Sequence, residues 1–111
     1  MEDYKKMVEE IMENLGKFSK DTPEQMEAFH KFMEASEKPG MLDKKTKELI
    51  ALGISIKAQC EYCIAFHVKG ALDAGAKKEE ILETVWVSTL MGGGPSLMYG
   101  QIALKAIDDL S

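Results

Sequence analysis

Apolar residues recur three and four apart almost from one end of this chain to the other. No stretch sustains a two-residue alternation rich in β-branched side chains. That spacing puts an apolar stripe on each of a series of helices and leaves no segment for a sheet. The fold class it predicts is all-α, a single-domain helical bundle of about six helices over residues 1–111. The core is expected over about residues 25–110, with residues 1–20 as a peripheral helix.

The punctuation divides the pattern. A first helix is expected from about Asp3 to Leu15, with Tyr4, Met7, Val8, Ile11 and Leu15 on one stripe and an end near Gly16. Thr22 is expected to cap the second helix through its hydroxyl, with Pro23 in the first position and Gln25 closing a capping box. That helix carries Met26, Phe29, Phe32 and Met33 and stops before Pro39-Gly40. Asp43 caps a third, running through Glu48, Leu49, Leu52 and Ile56, and neither Gly nor Pro marks its end between Lys57 and Cys60. The fourth holds Cys63, His67 and Leu72 and stops at Gly75, because glycine alone carries no Cβ penalty in a left-handed cap. The fifth spans about Lys78 to Met91, ends at Gly92-Gly93-Gly94-Pro95, and hands over to a sixth reaching about Leu110. Helices four to six are apolar around more of their circumference than a small monomer needs to bury, which predicts a homo-oligomer interface.

Charge removes whole classes of partner. With 14 Lys and Arg against 19 Asp and Glu, the net charge is -5, and the acidic residues are scattered rather than blocked. Affinity for phosphate backbones or anionic lipid rests on neutralising negative charge, so neither nucleic acid nor membrane is an expected partner. No apolar run approaches the roughly 18 residues needed to span a bilayer, and the N-terminal segment has no apolar signal region. A cytoplasmic protein is the expectation.

The two cysteines of the chain stand three apart, as Cys60-Glu61-Tyr62-Cys63. In a reducing compartment such a pair reads as redox-active or metal-binding before it reads as a structural staple. At 100° per helical residue, Cys63 lies about 60° and His67 about 20° from Cys60, so the three share a face. A thiol attacks only as thiolate, and placing Cys60 in the first turn of helix four would aim free N–H groups and the positive helix end at its sulfur. Lowering a thiol pKa by about two units corresponds to roughly 2.7 kcal/mol, within reach of a helix terminus plus an imidazole. His67 is the candidate base, and Glu48 on the preceding helix the carboxylate that would fix its tautomer.

Rival readings have weaker support. Cys60, Cys63, His67 and Glu48 could in principle ligate zinc, but structural zinc sites usually bring a second paired motif, and none is present. Covalent haem requires histidine directly after the second cysteine, where Ile64 stands, and a thioredoxin fold requires βαβ patterning. The glycine run lacks the lysine and hydroxyl of a phosphate loop. His30 has no chemical company, and Met26, Met33, Met91 and Met98 read as core filler.

Glu48-Leu49-Ile50-Ala51 followed by Cys60-Glu61-Tyr62-Cys63-Ile64-Ala65-Phe66-His67, an E-x11-C-x2-C-x3-H pattern, resembles the signature of the alkylhydroperoxidase D-like, carboxymuconolactone decarboxylase superfamily. Gly92-Gly93-Gly94-Pro95 is also similar to a stretch of its small members, so the resemblance covers about residues 25–110. It implies an all-helical subunit assembling into trimers or hexamers, with Glu48 and His67 relaying protons to a Cys60/Cys63 pair that cycles between dithiol and disulfide. It implies no metal and no organic cofactor. By resemblance, Cys63 attacks a small peroxide, and Cys60 resolves the sulfenic acid and exchanges disulfides with a protein redox partner. The helix-terminus argument favours Cys60 as the more acidic thiol, so the order stays open. Tyr62 stands where a second active-site histidine occurs in the founding branch. The expected activity is therefore peroxidase or disulfide reductase, an oxidoreductase; the alternatives are a decarboxylase or isomerase of a small lactone acid and an oligomeric metal-binding module.

Overall fold

A computed structural model describes residues 1–111. Six helices follow one another: α1 (Tyr4–Asp21), α2 (Pro23–Glu37), α3 (Lys44–Lys57), α4 (Glu61–Asp73), α5 (Lys78–Gly92) and α6 (Gly94–Leu110). The all-α expectation holds, and there is no strand. Helices α3 to α6 pack as a four-helix unit in which α3 lies against α4 and α5, and α6 against the same two. Helix α1 lies across α4 and α6, while α2 packs chiefly on α1 and touches the edge of α3.

The core explains this arrangement. Leu52 and Ile56 of α3, Ile64 and Val68 of α4, and Ile81 of α5 are fully buried, and they meet Ile102, Ala103 and Ile107 of α6. Each such aliphatic side chain contributes roughly 1.5–3 kcal/mol by leaving water. Alanines at 65, 71, 103 and 106, all fully buried, let α4 and α6 approach closely. Ser88 donates to the Gly53 carbonyl at 3.1 Å and Lys45 pairs with Glu80 at 2.9 Å, joining α3 to α5.

The N-terminal half departs from the sequence expectation in four respects. Helix α1 does not stop at Gly16 but continues to Asp21, since nothing within 4 Å crowds Gly16 and no left-handed cap forms there. Its first two turns are built into the core, with Tyr4, Met7 and Val8 buried, so only the remainder is peripheral. Thr22 makes no hydroxyl cap for α2. Its Oγ1 donates instead to the Phe18 carbonyl at 2.8 Å, closing α1, and the capping box with Gln25 is not formed. Finally, α2 buries none of its residues: Phe29 and Phe32 are exposed and Met26 and Met33 only half-buried, so its apolar stripe has no cover within the subunit.

Met91 and Met98, read as core filler, are exposed instead, whereas two helix-end signals hold as read. Asp43 accepts from Thr46 N at 2.8 Å to cap α3. Gly75, at φ 90°, turns the chain after α4.

Candidate active site

The two cysteines sit where α3 hands over to α4. Gln59 adopts a left-handed conformation, φ 58°, while its N–H reaches the Ile56 carbonyl and that of Cys60 the Ser55 carbonyl, each at 3.1 Å. These paired bonds form a Schellman termination, in which the left-handed position usually falls to glycine. Gln59 occupying it is why the end of α3 carries no sequence mark. The next residue, Cys60, is already the N-cap of α4, one position earlier than the first-turn placement expected for it.

As N-cap, Cys60 presents its sulfur to the unpaired amides of the first turn, and Sγ accepts from Cys63 N–H at 3.3 Å. The first-turn amides expected to face the Cys60 sulfur therefore meet it from the cap position. Cys60 and Cys63 are joined as a disulfide, with Cα atoms 5.2 Å apart, and both are half-buried. Between them Tyr62 faces solvent, while Glu61 is held inward by Tyr4, whose hydroxyl donates to its Oε2 at 2.8 Å. Burial, followed by this bond to a carboxylate, pushes the Tyr4 hydroxyl well above the usual phenol range.

One turn beyond Cys63, His67 projects from the same face of α4. Its Nδ1 lies 3.0 Å from Oε2 of Glu48, and both side chains are largely covered, at 19% and 7% exposed. Phe66 packs edge-on to the imidazole, with centroids 5.5 Å apart. Glu48's other oxygen, Oε1, pairs with Lys44 Nζ at 3.2 Å, and Lys44 also reaches Glu37 of α2 at 3.4 Å. Burial alone would raise the Glu48 carboxyl, but the His67 hydrogen bond and Lys44 together outweigh it and hold it below 4.5. Glu48 is therefore a carboxylate at neutral pH. A carboxylate can only accept, so Nδ1 carries the shared proton and Nε2 is the free ring nitrogen.

Helix α4 makes room for this buried charge. A Cβ on Gly70, one turn past His67, would stand 2.6 Å from the Glu48 carboxyl carbon. The structure bonds Cys60 to Cys63 and pairs Glu48 with His67, with the cysteines and His67 along one face of α4, and adds Lys44, Gly70 and the Tyr4–Glu61 pair around them. Lys44 could have been found as the i−4 cation of Glu48, and Gly70 as a glycine inside an apolar helical pattern. Tyr4 gave no local signal. No group of three or more His, Cys, Asp or Glu side chains is arranged to hold a metal ion.

The sequence profile described as the carboxymuconolactone decarboxylase family matches residues 23–106. The chain belongs to that family. A family member from Legionella pneumophila superposes with a TM-score of 0.93 at 44% identity, covering 97% of this chain and 96% of its own. A second, from Thermotoga maritima, for which involvement in an antioxidative response has been suggested, superposes with a TM-score of 0.83 at 32% identity, over 95% and 89%. Nitrosuccinic acid decarboxylase of Metarhizium robertsii is 32% identical over 67% of this chain and 52% of its own. The resemblance read from the cysteine motif is thus confirmed at the level of family and fold.

A different face of this family member is strongly apolar. An open groove of about 680 Å³ runs between α3 and α5, lined by Ile50, Ile54, Val87 and Met91, all exposed, with Trp86 and Leu90 also exposed on α5. No helix is long and apolar enough to cross a membrane.

Proposed function

We propose that this chain is a thiol–disulfide redox enzyme of the alkylhydroperoxidase D-like type, reducing a peroxide or a partner protein's disulfide through Cys60 and Cys63. The observation that carries this reading is a bonded cysteine pair spanning the first turn of α4, with a carboxylate-anchored imidazole one turn further along the same face. The suggested antioxidative role of the Thermotoga relative points the same way.

The chemistry starts from the dithiol. His67 Nε2 takes the proton of the attacking thiol, and Glu48 supports the imidazolium that results. The thiolate bonds to one peroxide oxygen, the O–O bond breaks, and the alcohol leaves with the proton returned by His67. The sulfenic acid condenses with the second thiol, releasing water and forming the Cys60–Cys63 disulfide. Two electrons have passed to the peroxide, and an external dithiol restores the pair by exchange. With a disulfide substrate, the thiolate attacks sulfur, and the second cysteine resolves the mixed disulfide. Such a pair would work in a reducing cytoplasm.

Turnover of a small peroxide coupled to a dithiol reductant tests the reading. Activity is expected in the wild type and lost in Cys60→Ser and Cys63→Ser; unaffected turnover in both would remove it. Peroxide-dependent trapping of a sulfenic acid in Cys60→Ser would assign attack to Cys63, and trapping in Cys63→Ser would assign it to Cys60.

A second reading is decarboxylation or isomerisation of a small lactone or nitro acid, favoured by the Metarhizium decarboxylase match. It makes the cysteines dispensable, so activity on such an acid that survives Cys60→Ser/Cys63→Ser would establish it. The exposed apolar side chains of α2 and α5 support assembly into a homo-oligomer, trimer or hexamer, which light scattering on the eluting protein would count.

A further inference from the structure

Glu48 is buried with both of its oxygens paired: Oε2 meets His67 and Oε1 meets Lys44. We infer that Lys44 is a positioning residue for the redox site, holding Glu48 ionised and oriented so that His67 presents a free Nε2. The inference rests on the redox reading of Cys60 and Cys63 and extends it by one residue that touches neither sulfur nor imidazole.

The geometry carries it. Lys44 stands one turn before Glu48 on α3, so the two side chains meet on one helical face at 3.2 Å. A third group, Glu37 on α2, receives the same ammonium at 3.4 Å and keeps it over the carboxylate. The missing side chain of Gly70 leaves the space on α4 that the carboxylate occupies, since a Cβ there would stand 2.6 Å from its carboxyl carbon. The charged and titratable groups around Glu48 are His67, Lys69 and Asp73 from α4, Lys44 from its own helix and Glu37 from α2; all but His67 line, with Glu48, a cavity of about 440 Å³. Lys69 is engaged by Asp73 at 2.7 Å, and α1 contributes only Val8 and Met12 there. Lys44 is therefore the cation that balances Glu48. A buried carboxylate deprived of it takes up a proton at higher pH.

Once Glu48 is protonated it can turn donor, and the preference for hydrogen on Nδ1 is lost. Loss of the neighbouring ammonium raises the pH at which Glu48 takes up that proton. A variant lacking the ammonium should hence lose activity from the acid side first.

Two readouts on the intact protein test this. One is the pH profile of peroxide turnover, and the other is the ring ¹⁵N spectrum of His67 followed through the same titration. Lys44→Met is expected to move both the acid limb and the ¹⁵N inflection up by about one pH unit. Lys44→Arg should return both toward the wild-type positions. Lys47→Met removes the neighbouring lysine that ties α3 to the end of α2 through the Ser36 and Lys38 carbonyls at 2.9 and 2.8 Å, but it should move neither. A Lys44→Met inflection that coincides with the wild type overturns the inference, as does an equal shift in Lys47→Met. If the wild type shows neither peroxide turnover nor reversible reduction of the Cys60–Cys63 pair, the redox reading fails instead, and the ¹⁵N titration still decides whether Lys44 governs the Glu48–His67 pair.

Discussion

Glu48 and His67 meet across the α3–α4 interface with Oε2 and Nδ1 3.0 Å apart, nineteen residues separated in sequence and both largely removed from water. Neither helix alone could supply the pair: α3 brings the charge and α4 the ring, and the fully buried Leu52, Ile56, Ile64 and Val68 keep the two helices in register.

Replacing Glu48 by Gln preserves volume but substitutes an amide that can offer a hydrogen where the carboxylate only accepts. A wrongly presented tautomer costs a general base most of its contribution, so kcat of Glu48→Gln should fall by about 10²–10⁴-fold. Steady-state peroxide turnover at pH 7 checks this, with KM for peroxide expected to change little.

The same carboxylate makes stability depend on pH. Its folded pKa lies below the ordinary 4.5, so its contribution is fully present above that value and is lost as pH falls through the folded pKa. Thermal unfolding below pH 4.5 should therefore be less steeply pH-dependent in Glu48→Gln than in the wild type.

Two glycines within helices should respond oppositely to alanine. Gly16 has nothing within 4 Å, so Gly16→Ala should gain about 0.5–1 kcal/mol from helix propensity. Gly70→Ala drives a methyl group into the Glu48 carboxylate and should destabilise by about 1–3 kcal/mol despite the same propensity gain. Urea denaturation midpoints of the two variants check the signs.

Gln59 should prefer glycine to a branched side chain. Its left-handed φ of 58° costs an ordinary residue roughly 1–2 kcal/mol, so Gln59→Gly should be tolerated or mildly stabilising. Gln59→Val should lose about 1–2 kcal/mol and, by displacing Cys60 from its cap, slow disulfide formation. Chemical denaturation and the rate of reoxidation after reduction report the two effects.

The sequence was most informative where local rules decide. Asp43, Gly75 and the glycine run before Pro95 placed helix ends because caps and left-handed turns depend on a few neighbouring residues. The four candidate residues could be singled out because Cys60, Cys63 and His67 share one helical face and Glu48 belongs to the same family pattern. Where tertiary contacts decide, the sequence misled. Thr22 sits at the N-cap of α2 but turns its hydroxyl back to close α1, Tyr4 leaves the apparent periphery to bond Glu61 beneath the cysteines, and Gln59 occupies a glycine's position at the end of α3. Phe29 and Phe32 satisfied helical periodicity, but periodicity does not say which partner, if any, covers the stripe.

The thiol–disulfide equilibrium of Cys60 and Cys63 in glutathione or dithiothreitol buffers tests the redox account most directly. A reversible two-electron couple between about -170 and -300 mV, the span of known dithiol oxidoreductases, is the predicted result. A pair that cannot be reduced and reoxidised reversibly in those buffers would contradict it.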